Sequence, residues 1–202
     1  MDEPDSIRRT VTVFGSGTAS EDSEEFRQAE RLGRALAERG LVVCNGGYGG
    51  TMLAAARAAR AAHGSTVGVT LAGSDSSAPN PCIEREIPCS SFVERITVML
   101  ETGHGYVVLP GGTGTLAEVG LLFEMMNKLL LPTRPIVLLG PFWLPLLELL
   151  RGERILDARR QYTPVEGVNS MGVVACTNLP EAAADFLSLN LLRGDSDGPT
   201  VS

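Results

Sequence analysis

The sequence predicts an α/β fold: a doubly wound, mostly parallel sheet with helices on both faces, Rossmann-like and forming a single domain. Three observations predict it. Short β-branched runs alternate with longer amphipathic segments in a βαβ rhythm. The runs are apolar nearly throughout, as strands covered on both faces must be. Three of them end in glycine clusters, at the end of an open parallel sheet where ligands bind. A chain of 202 residues, 44% hydrophobic and 20% charged, suits one globular domain with a sizeable core.

The first strand is 10–14, Thr-Val-Thr-Val-Phe, and an amphipathic helix follows over about 22–39. The second strand, 41–44, leads into an Ala-rich helix at 51–62, and the third strand is 66–71. Residues 72–81, rich in Gly, Ser and Pro, read as a loop, and 92–101 as a short helix. The fourth strand, 106–109, feeds a helix over 115–130 that Pro132 should stop, because proline neither donates a backbone hydrogen bond nor fits a helix interior. A strand at 135–139, a Leu-rich helix at 144–150, a strand at 173–176 and a helix at 180–187 complete the pattern. Residues 1–9 and 193–202 read as tails, the second of them disordered, which leaves 10–192 as the domain.

Charge and composition exclude several classes. The net charge is −7 and no basic face is evident, so the phosphate-neutralising surface that a nucleic-acid partner needs is missing. The start, Met1 to Ser6, is acidic and lacks the features of a signal peptide. The most apolar stretch, 121–150, is interrupted by Glu124, Lys128, Pro132, Arg134 and Pro135, short of the ~18 uninterrupted apolar residues of a membrane span. A cytoplasmic location without membrane contact is the expectation. Cys44, Cys82, Cys89 and Cys176 form no C-x-x-C pair and His63 and His104 lie far apart, so no metal site is expected. Cys44 and Cys176 read as reduced core thiols.

The chemistry is expected in the glycine clusters. They are Gly15-Ser16-Gly17, then Asn45-Gly46-Gly47-Tyr48-Gly49-Gly50, then Pro110-Gly111-Gly112-Thr113-Gly114-Thr115. Glycine lets backbone approach a ligand, and the helix that follows offers unpaired N–H groups and a favourable dipole, which together make a seat for phosphate. Tight turns alone are a sufficient reason for Gly15 and Gly17. The third cluster has more glycine and threonine than a turn demands. Gly112 to Ala117 fits G-x-G-x-x-A, but the acidic residue that NAD binding needs about 20 positions on is absent. No G-x-x-x-x-G-K-[ST] string exists, which removes the P-loop.

Two strings carry a resemblance. Gly46-Gly47-Tyr48-Gly49-Gly50-Thr51-Met52 fits G-G-x-x-G-x-M, and residues 110–118 fit P-G-G-x-G-T-x-x-E. Over about residues 10–140 the chain resembles LOG-type proteins, the "lysine decarboxylase-like" family named for phosphoribohydrolases that release cytokinin bases from riboside monophosphates. The decarboxylase label fails on chemistry. Pyridoxal phosphate enzymes hold their cofactor through a lysine, and Lys128, the only lysine, sits on an apolar helix well past the glycine loop, where it reads as a solvated side chain. No cofactor is expected.

The resemblance implies that Arg95 and Glu118 are the catalytic pair, and that Ser16, Gly46, Gly47, Gly50, Met52, Gly111, Gly112, Thr113, Gly114 and Thr115 bind the nucleotide and its phosphate. It also implies a homodimer and, as partner, a small-molecule nucleotide. A carboxylate near C1′ can stabilise an oxocarbenium-like sugar or activate water, and an arginine can balance phosphate or leaving-group charge. Plainer roles stand beside these. Thr115-Leu-Ala-Glu118 is also a capping box, and Arg95 pairs equally well with Glu94 or Glu101 on a helix surface. Cytokinin-activating members read Met-His-x-Arg-Lys before the fourth strand and Glu-Glu after the loop. This chain has Val93-Glu94-Arg95-Ile96 and Ala117-Glu118 there: the Arg and the final Glu are kept, and the loss of the neighbouring lysine and glutamate bears on the plant-hormone substrate more than on nucleotide binding. Related LOG-like proteins carry molybdenum cofactor or sense nucleotides, so a non-catalytic carrier or sensor is the alternative function.

Overall fold

The structure is a computed structural model and describes residues 9–73, 78–157 and 162–192. The two tails expected from the sequence lie outside these residues, apart from Arg9. Among the described residues, eight strands form one sheet in the order β4-β3-β2-β1-β5-β6-β8-β7. They are β1 (Thr10–Phe14), β2 (Val42–Asn45), β3 (Thr66–Leu71), β4 (Arg85–Cys89), β5 (Gly105–Val108), β6 (Ile136–Leu139), β7 (Asn169–Met171) and β8 (Val174–Thr177). Every pairing is parallel except β7 with β8. Val11, Val43, Val107 and Val137 point to one core and Phe14, Cys44, Val108 and Leu138 to the other, so the inner strands are apolar on both faces.

Helices α1 (Glu24–Glu38), α2 (Thr51–Ala61) and α7 (Pro180–Leu192) cover the first face. The second carries α3 (Phe92–Thr102), α4 (Thr113–Asn127), α5 (Leu144–Leu149) and α6 (Arg154–Asp157). Helix α1 shows why local sequence is sufficient here. Ser23 caps it, with Oγ accepting from the Phe26 N–H at 3.2 Å. Phe26, Ala29, Leu32, Gly33 and Leu36 make its buried stripe. Its end is a Schellman turn: Gly40, at φ +72°, donates to the Ala37 carbonyl and Leu41 donates to that of Leu36. Gly33 permits the close crossing of α1 over α2, since a Cβ there would stand 2.1 Å from the Ala55 carbonyl oxygen.

Four expectations are corrected. The helix placed at 115–130 runs Thr113–Asn127, so it starts two residues earlier. It also stops before Pro132 exerts any effect: Lys128 is its C-cap and Leu129 takes φ +58°. The only lysine is exposed, 3.6 Å from Glu124. The short helix α6 and the strands β4 and β7 were not expected. Both strands are sheet edges, largely exposed, and Pro88 in β4 sits where a missing donor costs the sheet nothing. Cys44 is buried, and burial pushes its thiol up to about 12, whereas Cys176 is only partly buried. No described helix is long and apolar enough to cross a membrane.

Candidate functional site

From β1 the chain proceeds outward through β2, β3 and β4, whereas β5 starts the opposite half of the sheet. The order reverses between β1 and β5, and a cleft of about 340 Å³ opens at their carboxyl ends. Its walls are residues 15–18 after β1, Tyr48 and Met52 around the start of α2, Phe92 and Arg95 on α3, and residues 112–115 with Glu118 on α4.

The turn after β2 is a buttress. Asn45 is fully buried, its Oδ1 accepting from the Gly47 N–H at 2.8 Å while its Nδ2 donates to the Met52 carbonyl. Gly50, at φ +60°, lies against the Ser16 carbonyl, where an added Cβ would be 2.2 Å away. The Thr51 N–H and hydroxyl both donate to that same carbonyl, which ties the turn after β1 to the start of α2.

The turn after β5 is built differently. Gly112 is the N-cap of α4, so no side chain caps that helix, whereas Ser91 caps α3 through the Glu94 N–H. Thr115 is buried beneath Gly111. Added Cβ atoms at Gly112 and Gly114 would meet nothing within 4 Å, so packing within the chain does not require glycine at either position. The open end of α4 with its dipole thus faces free space, the arrangement that holds an anion.

Glu118 falls in the second turn of α4, because the helix begins at Thr113. That corrects the capping-box alternative: the geometry requires Glu at the third helical position, which Thr115 occupies. Glu118 is 9% exposed, and among the described residues no hydrogen bond or ion pair holds its carboxyl. Burial pushes it up to about 7, against the opposing pull of the Arg95 charge.

Arg95 corrects the other alternative. It is 7% exposed and pairs with neither Glu94 nor Glu101. Its Nε donates to the Val69 carbonyl at 2.7 Å and its Nη2 to that of Gly46 at 3.0 Å. Glu94 instead accepts from the Ser90 backbone and hydroxyl, which lowers its carboxyl. Gly46 makes room for the guanidinium, since a Cβ there would lie 1.7 Å from Arg95 Nη2.

Of the residues singled out in the sequence, the cleft brings together Ser16, Met52, Arg95, Gly112, Thr113, Gly114, Thr115 and Glu118. Gly46, Gly47 and Gly50 stand behind its wall. Gly111 lines an adjoining hollow with Pro110, Glu25 and Phe142. The sequence did not single out Gly15, Gly17, Thr18, Tyr48 and Phe92 as site residues. Tyr48 had a signal, being the one bulky side chain inside a run of glycines.

Comparison with known proteins gives this arrangement a context. The family model described as the SLOG cluster4 family matches residues 8–139. A cytokinin riboside 5′-monophosphate phosphoribohydrolase of Mycobacterium tuberculosis is 34% identical over 145 residues, 66% of this chain and 71% of that protein. A pyrimidine/purine nucleotide 5′-monophosphate nucleosidase of Escherichia coli is 28% identical over 65% of this chain but only 31% of its own length. Among solved structures, the molybdenum cofactor carrier protein of Chlamydomonas reinhardtii superposes with a TM-score of 0.69 at 21% identity, covering 92% of this chain and 99% of that one. At that identity the likeness concerns the fold alone.

Proposed function

The chain belongs to the SLOG cluster4 family, and we propose that it is a nucleoside 5′-monophosphate phosphoribohydrolase, giving free base and ribose 5-phosphate. One observation carries the reading. A largely buried carboxyl with no hydrogen-bond partner among the described residues, Glu118, shares a cleft with a backbone-anchored Arg95 and with the uncapped start of α4. That set matches the parts of a nucleoside monophosphate. The 5′-phosphate sits on the N–H groups of residues 113–115, and C1′ lies by Glu118. The bond from C1′ to the base nitrogen breaks, its electron pair leaving with the base, and water adds to C1′. Glu118 as carboxylate stabilises the oxocarbenium-like sugar, takes the proton of the attacking water and returns it to the departing base nitrogen, while Arg95 offsets negative charge. A carboxyl titrating near 7 is suited to proton transfer at neutral pH.

The test is direct. Purified protein incubated with a panel of nucleoside monophosphates should release base and ribose 5-phosphate in equal amounts. Binding without release identifies a non-catalytic carrier or sensor of a phosphate-bearing ligand instead.

The phosphate seat gives a sharper expectation. Adenosine monophosphate should bind at least about 10²-fold more tightly than adenosine, the size of a few charge-assisted hydrogen bonds. Because Gly112 has open space around it, Gly112→Val should fold normally yet lose that preference. Equal calorimetric affinity for the two ligands would remove the seat from residues 112–115.

The partner in this reading is a second copy of the chain. Leu116, Leu129, Leu130, Leu144 and Leu149 are all exposed along α4, α5 and their ends, apolar side chains that a second copy would cover. Light scattering should report the mass of two chains, and Leu130→Glu combined with Leu149→Glu should return it to one. A wild-type chain that runs as one copy rules the dimer out.

A further inference from the structure

A guanidinium offers five N–H groups along three edges of a plane. The Val69 and Gly46 carbonyls take Nε and Nη2 of Arg95, which lie along one edge. Bonds along a single edge act as a hinge: they hold the group in place but leave the plane free to tilt about that line. Arg95 Cζ lies over the face of the Tyr48 ring, 5.4 Å from its centroid.

Tyr48 is itself fixed from both ends. Its hydroxyl accepts from the Leu71 N–H at 2.8 Å and its backbone carbonyl accepts from Asn80 Nδ2 at 2.9 Å. Asn80 donates its own N–H to the Gly47 carbonyl, so the segment after β3 clamps the glycine turn that carries the ring. The turn needs no side chain of this size for its own shape, since Asn45 and the Gly47 backbone already define it.

We propose that Tyr48 is a positioning residue: the face of its ring sets the tilt of the Arg95 guanidinium, and thereby the edge that Arg95 presents to a ligand in the cleft. For turnover this rests on the phosphoribohydrolase reading; for the geometry it does not. Arg95 is the charged group whose field reaches Glu118, and that field favours the ionised carboxyl. A guanidinium that swings off the ring acts on Glu118 less, so the carboxyl titrates higher.

The test separates ring electrostatics from ring shape. Tyr48→Phe keeps the π face, Tyr48→trifluorophenylalanine keeps the shape but removes most of the ring's negative face, and Tyr48→Leu removes the ring. The Glu118 carboxyl is followed by carbon NMR across pH in the full chain, and base release is measured alongside. Tyr48→Phe keeps the π face but gives up the hydroxyl that accepts from the Leu71 N–H, so it is the reference against which the other two variants are read. The trifluorinated ring and Tyr48→Leu should both move the titration upward and lower kcat about tenfold, with KM changed less. Indistinguishable titrations for the Phe and trifluorinated variants overturn the proposal, and because those two share one shape, the comparison stands even where Tyr48→Leu does not fold. If the wild type releases no base, the hydrolase reading falls while the titration still decides the role of Tyr48.

Discussion

Glu118→Gln should lower base release from the best monophosphate at least about 10²-fold, with the fold intact and the ligand still bound. Glutamine keeps the size and polarity of the side chain. It cannot become a carboxylate, so it neither takes a proton from water nor offsets positive charge at C1′. Helix α4 does not depend on Glu118 for its start, since its N-cap is Gly112. The proposed phosphate seat, residues 113–115, is unchanged. Arg95→Ala should lose activity to a similar degree by a different route. It leaves the Val69 and Gly46 carbonyls without their donor, and it removes the charge that holds the Glu118 titration down. Its residual activity should therefore peak at higher pH than that of the wild type. Circular dichroism and calorimetry on both variants check fold and binding, and a stopped assay checks rate. A Glu118→Gln protein as active as wild type removes the carboxyl from the reaction.

What the sequence made legible follows from what is local. A parallel strand covered on both faces is β-branched or apolar nearly throughout, so β1, β3 and β6 stand out, and a glycine cluster directly after a strand marks the ligand end of the sheet. Edge strands have no such pattern. Arg85-Glu-Ile-Pro-Cys89 carries two charges and a proline, all of them tolerable only because solvent meets one side of β4. Arg95 was legible as a candidate but not as a buried group. In Phe92-Val-Glu-Arg-Ile96 it looks like half of a surface ion pair, and the carbonyls that hold it come from residues 26 and 49 positions away. The start of α4 was misplaced for a related reason. The T-x-x-E string pointed to a side-chain cap at Thr115, whereas the helix begins two residues earlier where no side chain caps it, and that open start faces the cleft.

The same Glu118→Gln change should make the protein more stable at alkaline pH. Burial raises the Glu118 carboxyl from 4.5 in the unfolded chain to about 7 in the fold, so between those values the folded state keeps a proton that the unfolded state has given up. Stability associated with this group is therefore complete below pH 4.5, declines as pH rises, and is lost above about 7, where the fold must hold a largely desolvated carboxylate that no described protein group hydrogen-bonds. A shift of that size corresponds to about 3 kcal/mol. Glutamine, neutral at every pH, escapes the loss. At pH 8 the variant should melt about 8 °C above wild type, judged by the usual ratio for a chain of this length, and at pH 4 the two should coincide. The pH dependence is what makes the measurement decisive. A capping or packing role for Glu118 predicts a variant equally or less stable throughout, whereas a carboxyl kept poised and unpaired for chemistry predicts a gain that grows with pH and is accompanied by loss of turnover. Melting curves that run parallel from pH 4 to 8 would place Glu118 in a hydrated or paired environment and take away the premise on which its catalytic role rests.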